Sequence, residues 1–199
     1  MTTLAVDLDG VLANFVYGFT RYVREIGAWK FTSDYQPMAW DFPEIPDRAL
    51  FQRAISTFHE QHLFWQSLPA YVANCNSLAE FIGKRPEVNI VYLTARPSPS
   101  KGPSALVQTN RWLRAQGLLG DATTVIVVDN WQRKVDTVAI LGVDAIIDDH
   151  SQTVEGVLKL ALTTWGSLMV NATLLSRPWN KDADLPRVDT LKMWLDSIK

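Results

Sequence analysis

The hydrophobic positions of this chain fall into short unbroken runs, each closed by a polar residue. Leu4-Ala5-Val6 ends in an acidic turn, and Val88-Asn89-Ile90-Val91-Tyr92-Leu93 ends at Thr94. Val125-Ile126-Val127-Val128 ends at Asp129, Ala145-Ile146-Ile147 at Asp148-Asp149, and Ser167-Leu168-Met169-Val170 at Asn171. A strand with no polar face must be buried on both sides, as in a parallel sheet. Helical patterns separate the runs, roughly over 76–84, 104–117, 131–141 and 152–163. Strand alternating with helix predicts an α/β fold, a Rossmann-like doubly wound parallel sheet. At the end of the chain, Val188, Leu191, Trp194, Leu195 and Ile198 mark one face of an amphipathic helix that packs on the core.

Residues 15–75 break the alternation. They offer no convincing strand, are rich in aromatic residues, and are punctuated by Pro37, Pro43 and Pro46. This segment is expected to be a small helical cap inserted after the first strand, with 1–14 and 76–199 forming the α/β core. The cap would lie over the C-terminal edge of the sheet, where open α/β sheets bind ligands.

Composition narrows the function classes. The chain has 199 residues, 47% hydrophobic and 20% charged, which excludes disorder. Its net charge of −2 excludes a broad basic grip on long nucleic acid, but not a nucleotide as substrate. The single Cys75 excludes an internal disulfide or a multi-cysteine zinc site. The start, Met1-Thr2-Thr3-Leu4, has no basic leader region and no run approaches membrane-span length, so the expectation is a cytoplasmic protein with no membrane partner. Eight tryptophans supply flat surface that suits either a core or a base-binding pocket.

The chemistry is concentrated at strand ends. Asp7 and Asp9, then Thr94, then Asp148 and Asp149 follow three different runs, and a parallel sheet sets such ends side by side. Singly, each Asp fits a turn or an N-cap. Together they would repel and take up protons unless a cation joined them. Mg²⁺ suits such oxygens and keeps positions open for a phosphate. Lys134, ahead of an apolar helical stretch, could add a second positive charge.

Val6-Asp7-Leu8-Asp9-Gly10-Val11-Leu12-Ala13 resembles the first motif of the haloacid dehalogenase (HAD) superfamily. Thr94 in Tyr92-Leu93-Thr94-Ala95-Arg96 is similar to the second motif, Lys134 to the third, and Ile147-Asp148-Asp149 to the fourth, over about residues 4–155. The resemblance implies an Mg²⁺-dependent phosphatase in which Asp7 is the nucleophile and forms an aspartyl-phosphate. Asp9 would serve as general acid and base and offer the metal its backbone carbonyl. Thr94 and nearby backbone N–H groups would bind the phosphoryl oxygens. Asp7 and Asp149 would ligate the metal directly, with Asp148 either a further ligand or the group that orients Lys134. The second acid, Asp9, is absent from superfamily dehalogenases and so argues for phosphate chemistry.

A narrower resemblance is to the 5'(3')-deoxyribonucleotidases and their bacterial and phage relatives. It rests on Asp-Gly-Val-Leu-Ala followed by Asn14-Phe15, on Phe64-Trp65 ahead of Leu68-Pro69, and on Arg177-Pro178-Trp179-Asn180. The second motif reads Thr-Ala-Arg where mammalian-type members carry Thr-Ser. The resemblance suggests a nucleotide substrate and a homodimer. Phe15, Phe64 and Trp65 could sandwich a base or form the core of the cap. Ala95 and Arg96 are substrate-binding candidates; Arg96 could hold a phosphate or pair with an acid at the sheet edge. Lys101 is a weak phosphate candidate, and His59, His62 and His150 read as surface or capping residues. The competing functions are a phosphatase for a nucleic-acid end or small sugar phosphate, and a noncatalytic HAD-like binding module.

Overall fold

The computed structural model describes residues 2–32, 35–39, 42–163 and 170–198. Six strands form one sheet: β1 (Thr3–Val6), β2 (Asn89–Ala95), β3 (Thr123–Val128), β4 (Ala145–Asp148), β5 (Asn171–Leu175) and β6 (Arg187–Val188). All pairings are parallel and the order is β3-β2-β1-β4-β5-β6. This is the doubly wound arrangement predicted. Because the order reverses between β1 and β4, the switch-point crevice opens above those two strands.

Alternate residues of each strand feed two cores. Leu4, Val6, Ile90, Tyr92 and Ile147 are buried on one face, and Ala5, Val91, Leu93 and Ile146 on the other. The first face is covered by α3 (Val72–Lys84), α4 (Ala105–Ala115) and α7 (Leu191–Ser197); the second by α5 (Trp131–Leu141) and α6 (Ser151–Thr163). Local chemistry sets the helix starts. Ser104 accepts from the Val107 N–H at 3.3 Å, Asn130 from Arg133 at 2.9 Å and Thr190 from Met193 at 3.2 Å. Gly142, at φ 59°, closes α5 in the left-handed region. None of the described helices is long and apolar enough to cross a membrane.

Between β1 and α3 lie α1 (Phe15–Glu25), α2 (Arg48–Thr57) and two short 3₁₀ turns at Phe58–Glu60 and Trp65–Ser67. They share a core of rings. Phe19 stands 5.7 Å from Phe15, 5.3 Å from Phe42, 6.0 Å from Phe51 and 5.6 Å from Phe58 between centroids. Named bonds fasten this unit to the sheet's C-terminal rim. The Trp112 Nε1–H donates to Leu68 O at 2.7 Å, and the Trp65 Nε1–H to Pro97 O at 3.0 Å.

Three expectations shift. The helix that returns the chain to the sheet begins at Val72, so it straddles the boundary expected at 75. The fifth strand runs over Asn171–Leu175, after the apolar run that pointed to it; residues 167–169 lie outside the described residues, and Val170 precedes the strand. The register explains the shift, since the Asn171 N–H bonds to Asp144 O at 2.9 Å and so begins the pairing with β4. Val188, expected on the terminal helix, lies instead in the two-residue strand β6, and α7 spans Leu191–Ser197.

The ring cluster predicts its own test. Phe19→Ala removes a ring with no exposed surface and is expected to cost about 3–5 kcal/mol in urea unfolding. Replacement of the half-exposed Tyr17 should stay within about 0.5 kcal/mol. A comparable cost for both would contradict a packed aromatic core.

Candidate active site

The loop leaving β1 carries the first two acids. The Asp7 N–H still pairs with Ile147 O at 3.1 Å, which holds its side chain beside the end of β4. There Lys134 Nζ donates to Asp7 Oδ1 at 2.8 Å and to Asp148 Oδ2 at 2.9 Å, all three side chains being buried. The other Asp148 oxygen accepts the His150 N–H at 2.8 Å. Asp149, with no exposed surface, accepts from Trp179 Nε1–H through Oδ2 at 2.9 Å, while its Oδ1 is buried and has no partner. Carboxylate oxygens of Asp7, Asp148 and Asp149 lie within 4.8 Å of one another.

These charges do not balance. Three carboxylates face one ammonium that bonds two of them. Burial first, then the charge of Asp148, pushes Asp7 up to about 7, with Lys134 pulling the other way. Burial, then Asp7 and Asp148, raises Asp149 well above the ordinary carboxylate range, against the opposing charges of Arg177 and Lys134. On Lys134, burial acts to lower the pKa, but Asp148 and Asp7 outweigh it and the group is held protonated. The unpartnered Asp149 oxygen and the uncompensated charge fit a hard divalent cation, which these three carboxylates could hold. Gly10, at φ 82°, is part of the fit. A Cβ there would stand 1.9 Å from Asp149 Oδ2, so only glycine leaves room for that carboxylate.

Asp9 is arranged differently. Arg96 donates to it twice, Nε to Oδ2 at 2.7 Å and Nη2 to Oδ1 at 2.8 Å, and the Thr94 hydroxyl reaches Oδ2 at 3.3 Å. The guanidinium is itself held by Thr109 Oγ1 at 2.9 Å and lies 4.9 Å from the centre of a Trp65 ring. A bidentate pair of this kind balances the charge of Asp9 without a metal ion.

Above these groups opens a cavity of about 330 Å³. Asp7, Asp9, Thr94, Ala95, Lys134 and Asp149 form its floor. Phe15, Phe58 and Trp65 line one part of its wall, and Asp129, Asn130, Trp131, His150 and Thr153 another. Trp131 and His150 stand 6.3 Å apart, ring centre to ring centre.

No protein-family model matches the chain, and no curated protein matches it in sequence. A solved structure does match it. That structure, described as a haloacid dehalogenase-like hydrolase from Burkholderia xenovorans LB400, is similar with a TM-score of 0.52 at 12% identity, over 98% of this chain and 95% of that one. The two proteins share a fold.

The fold brings together Asp7, Asp9, Thr94, Lys134, Asp148 and Asp149 from four separate stretches of sequence. It also separates some of them. Asp9, expected to offer the metal its backbone carbonyl and to keep its carboxyl free for proton transfer, has that carboxyl matched to Arg96. Arg96 is not free for a phosphate: its side chain is enclosed and its donors serve Asp9 and Thr109, so the pairing with an acid at the sheet edge is the arrangement found. Phe64 turns into the ring core, 5.0 Å from Phe58 and 5.1 Å from Trp65, and does not line the cavity, whereas Phe15 and Trp65 do. Lys101 is exposed. Sequence reasoning missed Phe58, Trp131 and the Trp179 bond to Asp149. Only the Arg-Pro-Trp-Asn string hinted at the last of these.

The raised carboxylates set a pH dependence. Folded Asp7 and Asp149 keep protons that the unfolded chain releases near pH 4, so metal-free stability falls as pH rises from about 4 through about 7. A divalent cation would take the place of those protons. The melting temperature of chelator-treated protein is expected to drop between about pH 5 and about pH 8, and Mg²⁺ to raise it more at the higher pH. A Tm that Mg²⁺ leaves unchanged at both would contradict the cation site.

Proposed function

We propose that this protein is a divalent-metal-dependent phosphomonoesterase that hydrolyses a nucleoside monophosphate through a phosphoryl group carried on Asp7. One observation carries the reading: the buried Asp7–Lys134–Asp148 bridge, with the partnerless Asp149 oxygen beside it, lies on the floor of an aromatic-walled cavity. A phosphate dianion could not approach three carboxylates alone. The cation, Mg²⁺ in this reading, would be held by Asp7 and Asp149 and would supply charge neutralisation for the phosphoryl oxygens.

The chain's own groups divide the work. An Asp7 oxygen attacks phosphorus as the bond to the ester oxygen breaks. Asp9, once parted from Arg96 and protonated, would give that proton to the departing oxygen and then take one from the water that attacks the phospho-aspartate, releasing inorganic phosphate and restoring Asp7. Lys134 steadies the charge gathered on the phosphoryl oxygens, and the Thr94 hydroxyl and Ala95 backbone would bind one of them. Asp148, with both oxygens engaged, holds Lys134 in position. Residues 15–75 act as the cap, contributing Phe15, Phe58 and Trp65 to the wall. A base stacked on them would gain roughly 1–3 kcal/mol. Asp129, also in the lining, disfavours a substrate with further phosphates beside it.

Phosphate release from a panel of nucleoside mono- and diphosphates, sugar phosphates and a phosphorylated DNA end, with and without Mg²⁺, tests this. Monophosphate turnover that needs the metal is expected. Release only from sugar phosphates or the DNA end would overturn the nucleotide assignment, and inertness toward every ester would leave a binding module. Asp7→Asn should cut turnover by on the order of 10⁴-fold, with no loss of Tm. Asp9→Asn should cut it by about 10²–10⁴-fold. Full activity in Asp7→Asn would sink the nucleophile.

A further inference from the structure

The four acids of the site differ in what compensates them. Asp9 is matched to a guanidinium and Asp148 to an ammonium. The side chain that bonds Asp149 is the Trp179 indole, a neutral group that can only donate. That bond fixes Oδ2 as an acceptor without cancelling the charge, and it leaves Oδ1 buried and bare.

The indole is positioned by a turn built for rigidity. Strand β5 pairs with β4 through Leu174 and Asp148, so the chain leaving β5 passes directly behind Asp149. Pro178 opens a 3₁₀ turn, Pro178–Asn180, that is closed reciprocally. The Arg177 N–H donates to Asn180 Oδ1 at 2.9 Å, and the Asn180 N–H to Arg177 O at 3.1 Å. Asn180 Nδ2 then donates to two carbonyls, Asp149 O and Leu175 O, each at 2.8 Å. Arg177 reaches the other way. Its Nε–H donates to Gly10 O at 2.6 Å, and its guanidinium lies over the Tyr71 ring, 4.6 Å from the centroid. One four-residue turn therefore grips both acid-bearing loops, the one after β1 and the one after β4. It sets the gap that the missing Cβ of Gly10 leaves for the Asp149 carboxylate.

We propose that the Arg177–Asn180 turn is a clamp for the cation site, with Trp179 the positioning residue that aims Asp149 Oδ1 at a divalent cation. The inference rests on the cation reading given under Proposed function. Partners that orient a ligating side chain typically govern metal affinity by 10–100-fold.

The test is metal binding by the chelator-treated full chain, without substrate. Titration calorimetry with MgCl₂ on the wild type, Asp149→Asn and Trp179→Phe separates the two readings, with folding checked by far-UV circular dichroism. Wild type should bind Mg²⁺, Asp149→Asn should lose it, and Trp179→Phe should bind about 10–100-fold more weakly. Mg²⁺ should also change tryptophan emission in the wild type, and any change left in Trp179→Phe should need about 10–100-fold more Mg²⁺. A turn that merely supported the fold would move neither readout. If the wild type binds no Mg²⁺, the cation reading fails. If it binds and folded Trp179→Phe matches it, the clamp fails while the cation reading stands. Should Trp179→Phe not fold, Arg177→Lys, which breaks the grip on Gly10 O, decides by the same titration: weaker Mg²⁺ binding supports the clamp and wild-type affinity overturns it.

Discussion

Three carboxylates buried around one lysine are a costly arrangement, and the rest of the site is organised about that cost. Asp7, Asp148 and Asp149 have almost no exposed surface, and Lys134 reaches only the first two. Burying charge without full compensation is expensive, so it persists where a ligand supplies what is missing. The protein assigns the local compensation unequally. Asp148 is fully bonded, Asp9 is paired with Arg96, and Asp149 is hydrogen-bonded by a neutral donor, with Arg177 and Lys134 acting on it only through space, so the deficit is concentrated at Asp7 and Asp149.

Strand order makes this concentration possible. In the sequence β3-β2-β1-β4-β5-β6 the two acid-bearing strands are neighbours at the switch point, and each neighbour beyond them supplies one further layer. Strand β2 adds Thr94 and Arg96 on one side; the turn after β5 adds Trp179 and Asn180 on the other. The aromatic unit between β1 and α3 then closes over the rim. Trp65 couples the two layers, since one ring packs against Phe15, lies over Arg96 and donates to Pro97 O. The residue that walls the cavity thus also braces the partner of Asp9.

Much of this was readable beforehand, because the relevant signals are local. Uninterrupted apolar runs announce strands buried on both faces, and an Asp or Thr directly after such a run must sit at the sheet's rim. That logic found Asp7, Asp9, Thr94, Asp148 and Asp149. It failed where identity depends on a partner distant in sequence. Arg96, two residues after Thr94, suits a phosphate ligand as well as an acid's partner, and only the fold decides for Asp9 at 2.7 Å. Phe64 and Trp65 are adjacent and chemically alike, but a 3₁₀ turn sends one ring into the core and the other to the cavity. Phe58 and Trp131 carry no motif, and they reach the wall only through packing.

From the order of its residues alone the chain therefore determined its parallel sheet, the rim on which its acids stand and the aromatic content of the segment above them. Periodicity and strand-end chemistry are properties of neighbours along the backbone, and they survive without any fold. Only the tertiary structure decided which acid is neutralised, which is locked and which is left bare. Charge compensation within a few ångströms links residues as far apart in the chain as Asp9 and Arg96, or Asp149 and Trp179, and no local pattern encodes such distances.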